Sequence, residues 1–421
     1  MKKIALLACF AAVCAAGSPE SGAKVVEIDA AELQAAVDKA APHSLLLADR
    51  SRPVEVSETV RIDKPLTLVG LHMRLAPGLA KTPILEIRSE HVRIRDFTLV
   101  GNGDSVEQSD RAPLIVVRRG RFVIEDGQTD NSAKDGVMIT PTSEFGDIEH
   151  GVIRNLTGRN TIRDIVSIGG RGHEGLYVRH LVVENIRSYG SRLRGPVEVS
   201  DGSEHITVRD IYAESSLYGV DVQDHSQEGM INRHILIDGV QVKDCVAAIR
   251  TANRDFGHDG LTIRNVSGED FREDDRWRPL NVRNTRNLLI ENVRISGGPA
   301  NAPWLVVENS DNVTIRNITL VDANHEGPAV VVEDADHALI DNVVFTGQSR
   351  PDRAIEYRVR ADERFGGLRI RNVVASGTKS AGIALSNLSK SGTLDSYAIT
   401  DNMATVKADL EAKSRIVEGN L

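Results

Sequence analysis

A short phrase returns along this chain at nearly constant spacing, and it restricts the fold more than any other feature. It consists of a charged residue, then Asn, Asp or Gly, then an apolar residue. Ile94-Arg95-Asp96-Phe97, Ile153-Arg154-Asn155-Leu156, Val208-Arg209-Asp210-Ile211, Arg316-Asn317-Ile318 and Arg371-Asn372-Val373 are examples. The middle residue falls at 96, 126, 155, 185, 210, 239, 265, 292, 317, 342 and 372. Ten steps cover 276 residues, and each step lies between 25 and 30. A fixed period of this length marks a stacked-repeat architecture. Asn, Asp and Gly are the residues that tolerate a left-handed backbone, so each coil is expected to bend sharply at the same place.

A second phrase precedes the first in most coils and alternates strictly. Pro196-Val197-Glu198-Val199-Ser200, Gly219-Val220-Asp221-Val222-Gln223 and Pro279-Leu280-Asn281-Val282-Arg283 are the clearest cases. Period two means strands with one face inward and one outward. Strands of 3–5 residues without a 3.6-residue period exclude a helical solenoid. The reading is all-β: a right-handed parallel β-helix of about 11–12 coils.

The ends follow the same logic. Residues 29–40 are amphipathic, with Asp29 as N-cap and Glu32 three places on, and are expected to form a helix capping the open first coil. Met1-Lys2-Lys3, the apolar run Ile4 to Ala16 and small residues at 15–18 have the layout of an export signal, assigned to 1–17. The mature chain is then secreted or periplasmic, with lipidation at Cys9 or Cys14 as the anchored alternative. The domain reading is one β-helix over 25–400 and a C-terminal tail or cap over 401–421, where 405–416 suggest a short helix. No later apolar run is long enough to span a membrane. Removing the signal leaves Cys245 alone, in the apolar stretch Cys245-Val246-Ala247-Ala248-Ile249, as a buried structural thiol. The net charge of −9 argues against nucleic acid as a partner.

The cap helix and Asn-bearing coils resemble the pectin-lyase-like β-helix superfamily, which includes polygalacturonase-type glycoside hydrolases and polysaccharide lyases. The resemblance covers about 25–400. Lys134-Asp135-Gly136, Arg163-Asp164-Ile165, Gly172-His173-Glu174-Gly175 and Ala248-Ile249-Arg250-Thr251 echo the polygalacturonase phrases. That family's Asp-Asp pair has no counterpart, because Arg194-Gly195 stands where it would precede Val197. What the resemblance implies is therefore a carbohydrate-active enzyme, without a transferable mechanism.

Outward residues of one sheet stack in lanes about 4.8 Å apart. Aligning the alternating phrases gives one lane of Ser167, Glu198, Asp221, Arg250, Asn281, Val306 and Val331. A flanking lane holds Gly169, Ser200, Gln223, Ala252, Arg283, Glu308 and Glu333. Neighbouring carboxylates at Glu198 and Asp221 would split their pKa values into a proton donor and an anion, as glycoside hydrolysis requires. The candidate catalytic residues are Glu198, Asp221, Arg250 and His225. The candidate substrate contacts are Arg192, Arg194, Gln223, Asp224, Arg254, Trp277, Asn281 and Arg283, on the lane and on connections over it. The basic ones suit an anionic glycan. No cofactor is required, although Asp201, Asp221 and Asp224 offer the oxygen chemistry that Ca²⁺ takes. Three functions stay open: a glycoside hydrolase on an acidic polysaccharide, a lyase using Arg250 and His225, and a non-catalytic glycan-binding β-helix.

Overall fold

The computed structural model describes residues 24–421 except 80, 106–110, 226–229, 253–256, 411, 420 and 421. The expected export signal with Cys9 and Cys14, and Arg254, lie outside the described residues. The chain winds as a parallel β-solenoid of about 13 turns, slightly more than the phrase count suggests.

The coils share one plan. A long strand such as Val178–Tyr189, Ser203–Glu214 or His258–Glu269 is followed by a short one such as Val197–Ser200, Tyr218–Gln223 or Leu280–Arg283. Each strand pairs in parallel with its counterpart one coil on. All eleven phrase residues adopt a left-handed backbone, from Asp96 at φ 53° to Asn372 at 57°, with Gly239 at 79°. Their carboxamides knit the column together. Asn185 Nδ2 donates to Asn155 Oδ1 at 2.9 Å, Asn317 to Asn292 at 3.0 Å, and Asn342 to Asn317 at 2.9 Å. Asn thus satisfies both the backbone and the neighbouring coil.

The coil bends at two further left-handed columns that the sequence reading did not pick out. One lies five residues earlier, at His150, His180, His205, His234, Gly260, Asn287 and Asn312. The other lies five residues later, at Asn160, Gly190, Ser215, Asp244, Asp270, Gly297 and Asp322. Between the bends, a column of Ile94, Ile124, Ile153, Val183, Val208, Ile237 and Ile263 fills the core and is essentially inaccessible.

The N-terminal cap is a 3₁₀ turn over Ala30–Glu32 running into an α-helix over Leu33–Lys39. The Asp29 carboxylate accepts from the Ala31 amide at 3.0 Å. Leu33 and Val37 are buried. Gln34 pairs with the free edge of strand Val60–Ile62: its Oε1 accepts from the Arg61 amide at 2.7 Å and its Nε2 donates to the Arg61 carbonyl at 3.2 Å. One side chain thereby covers backbone groups that would otherwise template aggregation.

The C-terminal helix expected over 405–416 does not form. Val406–Ala408 and Ala412–Glu418 are strands, the latter pairing with Thr393–Thr400, and left-handed Asp401 extends the phrase column past 400. The open edge of the preceding coil offers a row of hydrogen-bond partners, which overrides a local preference for helix. Cys245 is buried as expected, its thiol pushed up to about 11 by desolvation. Among the described residues no helix is long and apolar enough to cross a membrane.

The column makes a graded prediction. Asn317→Ala forces a left-handed alanine, a penalty of about 1–2 kcal/mol, and removes two ladder hydrogen bonds worth about 1 kcal/mol each. Asn317→Gly keeps the backbone and loses only the bonds. Denaturant midpoints should rank wild type above Gly above Ala.

Candidate functional site

The short strands carry the lane in the expected register. Ser167 pairs with Glu198, Glu198 with Asp221, Asp221 with Arg250, Arg250 with Asn281, and Asn281 with Val306. Arg250 sits on the lane with no slip at 248–252. The lane is not an open surface, however. Glu198 is 2% exposed, Asp221 0%, Arg250 7% and Asn281 1%.

What covers it is largely cationic and aromatic. Glu198 is paired with Arg194 and with Arg163 at 3.4 Å, and accepts from Ser167 Oγ at 3.4 Å. Asp221 accepts from Arg250 Nη2 at 2.7 Å. The Arg250 guanidinium lies between two rings, 4.5 Å from Tyr218 and 4.4 Å from Trp277. Such a stack on a desolvated cation is worth about 2 kcal/mol or more. The Trp277 loop is pinned where Asp274 Oδ1 accepts the amides of Arg276 at 2.8 Å and Trp277 at 2.9 Å. Trp277 therefore clamps an arginine. Glu198 and Asp221 are each matched by a guanidinium, a different arrangement from two bare carboxylates competing for one proton.

The proton-holding group lies three residues before the lane. Asp135, Asp164, Gly195 and Tyr218 stand two positions ahead of the paired Val137, Val166, Val197 and Val220, one per coil. Burial, and after it the negative charge of Asp135, pushes the Asp164 carboxyl up to about 7, against the opposing pull of Arg194 and Arg163. Tyr218 Oη donates to Asp164 Oδ1 at 2.8 Å, and the Gly195 amide reaches the same oxygen at 3.4 Å. Tyr218 spans two coils to make this bond, and Gly195 permits it. A Cβ there would stand 2.1 Å from the Tyr218 carbonyl oxygen and 2.5 Å from its ring. Sequence reasoning noted Asp135 and Asp164 only as partial echoes and missed Arg163 and Tyr218 as partners. The available signal was their equal offset from successive lane strands.

Four carboxylates (Asp135, Asp164, Glu198, Asp221) thus share one buried patch with Arg163, Arg194 and Arg250. Lys134 feels the same charges, its ammonium pushed down by burial. Asp135 Oδ2, Asp164 Oδ2 and Asp221 Oδ1 are buried acceptors without a hydrogen bond. Orphaned acceptors of this kind are costly and call for a water or a ligand hydroxyl.

The remaining candidates are distributed around this patch. His225 Nδ1 sits 2.6 Å from Asp201 Oδ2, and that bond raises its pKa. It faces an acid rather than Arg250. Gln223 and Asn281 are buried, with Nε2 and Nδ2 respectively lacking a partner. Asp224 is buried, and Arg283 pairs with Glu308 at 3.3 Å. Arg192 is engaged by Asp104 of an earlier coil. His173 sits in a 3₁₀ turn, 3.3 Å from Glu174. His258 is buried and neutral, its pKa driven down to about 4 by desolvation. Among the described residues no group of three or more His, Cys, Asp or Glu converges to hold a metal. Asp201, Asp221 and Asp224 do not form the Ca²⁺ cage their chemistry suggested.

Asp164 should leave a signature in stability against pH. Its folded pKa near 7 exceeds its unfolded value of 3.8, so the native state binds the extra proton between those limits. Stability should fall as pH rises from about 4 to about 7. Asp164→Asn should flatten that slope in denaturant titrations; an unchanged slope would place the proton elsewhere.

No family model matches this chain, and no curated protein matches it. Among solved structures it is similar to the pre-mature bacteriophage phi29 gene product 12, 15% identical over 89% of this chain and 52% of that one, with a TM-score of 0.57. The chain thus spans about half the length of that protein. It is similar to the Agl-KA catalytic domain at 13% identity over 96% of this chain and 68% of that one, with a TM-score of 0.50. The catalytic unit of a thermostable GH87 alpha-1,3-glucanase from Streptomyces thermodiastaticus strain HF3-3 is 15% identical over 96% of this chain and 69% of that one, with a TM-score of 0.48. At such identities the likeness is one of fold, the parallel β-solenoid.

Proposed function

We propose that this chain is an exported glycoside hydrolase acting on an anionic polysaccharide, with its chemistry at the buried acidic patch. The observation that carries this reading is Asp164, a carboxyl raised to about 7 amid three other carboxylates on adjacent coils. A carboxylic acid that keeps its proton near neutrality can protonate a leaving glycosidic oxygen, while a neighbouring anion serves the opposite face of the sugar. Asp164 is assigned the acid role, and Asp221 and Glu198 supply the anions. A solenoid that also serves as a catalytic domain, as in Agl-KA, supports the enzymatic reading.

The arginines then have a substrate role. Arg163 and Arg194 hold Glu198 in the unliganded chain. A uronate carboxylate or a sulfate offers these guanidiniums the same charge, so its arrival exchanges one ion pair for another and frees Glu198. Exchange leaves Glu198 a buried anion without its guanidiniums, which raises its readiness to take a proton or a developing positive charge. Arg250, clamped between rings and bound to Asp221, orients that carboxylate.

One observation favours a non-catalytic reading: Glu198 and Asp221 are already neutralised by arginines, as a purely structural cluster would be. A lyase is less well supported, since His225, the candidate base, is engaged by Asp201 rather than set beside Arg250.

Incubation with a panel of uronate-bearing and sulfated polysaccharides separates these readings. Reducing ends without ultraviolet-absorbing unsaturated products are expected. Both signals together would mean a lyase, and neither would mean a binding module. With an active substrate in hand, Asp164→Asn should lower kcat by about 10²-fold or more, the range of general acid–base catalysis, with a thermal midpoint at neutral pH no lower than that of the wild type. Near-normal turnover in Asp164→Asn would remove Asp164 from the reaction.

A further inference from the structure

The second bend column carries a feature outside the acidic patch. Four of its residues on successive coils are histidines whose rings stack in file. Ring centroids of His150 and His180 are 5.2 Å apart, His180 and His205 5.0 Å, and His205 and His234 4.7 Å, with interplanar angles of 12°, 10° and 17°. All four backbones are left-handed, at φ 54–58°, so the side chains leave the coil in one direction. All four residues are exposed. No hydrogen bond of their ring nitrogens to protein is found among the described residues; the nearest acid, Glu149, stands 4.0 Å from His150 Nε2.

The arginines around the file are occupied by acids. Arg179 and Arg233 flank it, but Arg179 is held by Asp147 at 2.5 Å and Glu204 at 2.8 Å, and Arg233 by Glu204 at 2.9 Å. Glu149 and Asp259 occupy the same flank, while Arg121 precedes His150 in the column and Arg286 stands beside Asp259.

We propose that this histidine file is a surface site for a borderline divalent transition ion such as Zn²⁺, Cu²⁺ or Ni²⁺, bound between successive imidazoles. Neutral imidazole is the preferred ligand of these ions, at a metal–nitrogen distance of about 2.0–2.1 Å for zinc. Bridging two nitrogens at that distance needs them about 3–4 Å apart, given ordinary ligand–metal–ligand angles. Rings stacked near 5 Å must tilt their nitrogens towards each other on binding to reach this, and the His205–His234 pair, the closest and the least parallel, needs the smallest movement. Each ion would be held by two imidazoles, since among the described residues no group of three or more His, Cys, Asp or Glu converges. Water completes the coordination, so the ion is exchangeable.

The solenoid supplies its own conservative variant. Further along the same column the positions are Asn287 and Asn312, left-handed at 53° and 52°, so Asn fits the backbone where His now stands. Isothermal titration of the metal-stripped full chain with Zn²⁺ should show saturable binding. The fourfold variant His150→Asn, His180→Asn, His205→Asn, His234→Asn should bind at least ten times more weakly with its circular dichroism unchanged. His43→Asn, an exposed left-handed histidine outside the file, should bind as wild type does. A second measurement needs no variant: in the wild-type NMR spectrum, substoichiometric Cu²⁺ should broaden the ring signals of these four histidines before those of other exposed histidines. Absence of saturable Zn²⁺ binding, equal affinity in the fourfold variant, or indiscriminate broadening would each overturn the proposal.

Discussion

The whole molecule depends on a backbone constraint: every coil must bend to the left-handed region at the same points, and only a few residue types do so cheaply. Gly meets that demand by lacking a side chain, whereas Asn meets it and also donates to the coil before. The carboxamide ladder through 292, 317 and 342 therefore joins local conformational preference to long-range cohesion. Once the bends are aligned, the apolar columns between them stack without further instruction, and the outward side chains of the short strands fall into lanes.

Alignment of this kind places like side chains above one another, which is an electrostatic hazard. The patch around Glu198 resolves it by alternation across the lane and its borders: carboxylates on the strands, guanidiniums from the turns, and aromatic rings over the one arginine on the lane itself. At Asp164 that compensation falls short, because burial and then Asp135 directly before it in the stack outweigh the pull of Arg194 and Arg163. Its nearest hydrogen-bond donor is a neutral phenol two coils away. The proton is the remaining way to reduce the charge.

Much of this was legible in the residues. The phrase spacing placed the eleven phrase residues in one left-handed column, since Asn, Asp and Gly declare the conformation by type, and strict alternation gave the lane register through Val331. The histidine column was not legible because residue type there drifts from His through Gly to Asn, and only its constant five-residue offset from the phrase betrays it. The burial of Glu198 and Asp221 depends on Arg163, Arg194 and Trp277, whose side chains cross between coils, so no local pattern announces it. The state of Asp164 is set by burial and then by Asp135 a coil before it, and its bond to Tyr218 two coils after crosses a gap that exists because Gly195 has no side chain. The C-terminal strand was misread for a related reason: Lys-Ala-Asp-Leu-Glu-Ala-Lys favours a helix in isolation, and a waiting sheet edge outweighs it.

Because each coil bonds almost solely to the one before and the one after, the solenoid behaves as a one-dimensional stack. Thermal opening begins at an end and peels inward, each step exposing a single new edge. Gln34 raises the threshold for peeling from the N-terminal side by occupying the first edge. The coils bearing Asp164 to Asn281 lie well inside both ends, so several whole turns must detach before the acidic patch loses a neighbour. The chemistry is thereby insulated from fraying by its address in the stack, and lengthening the molecule by entire coils beyond residue 317 would leave that address undisturbed.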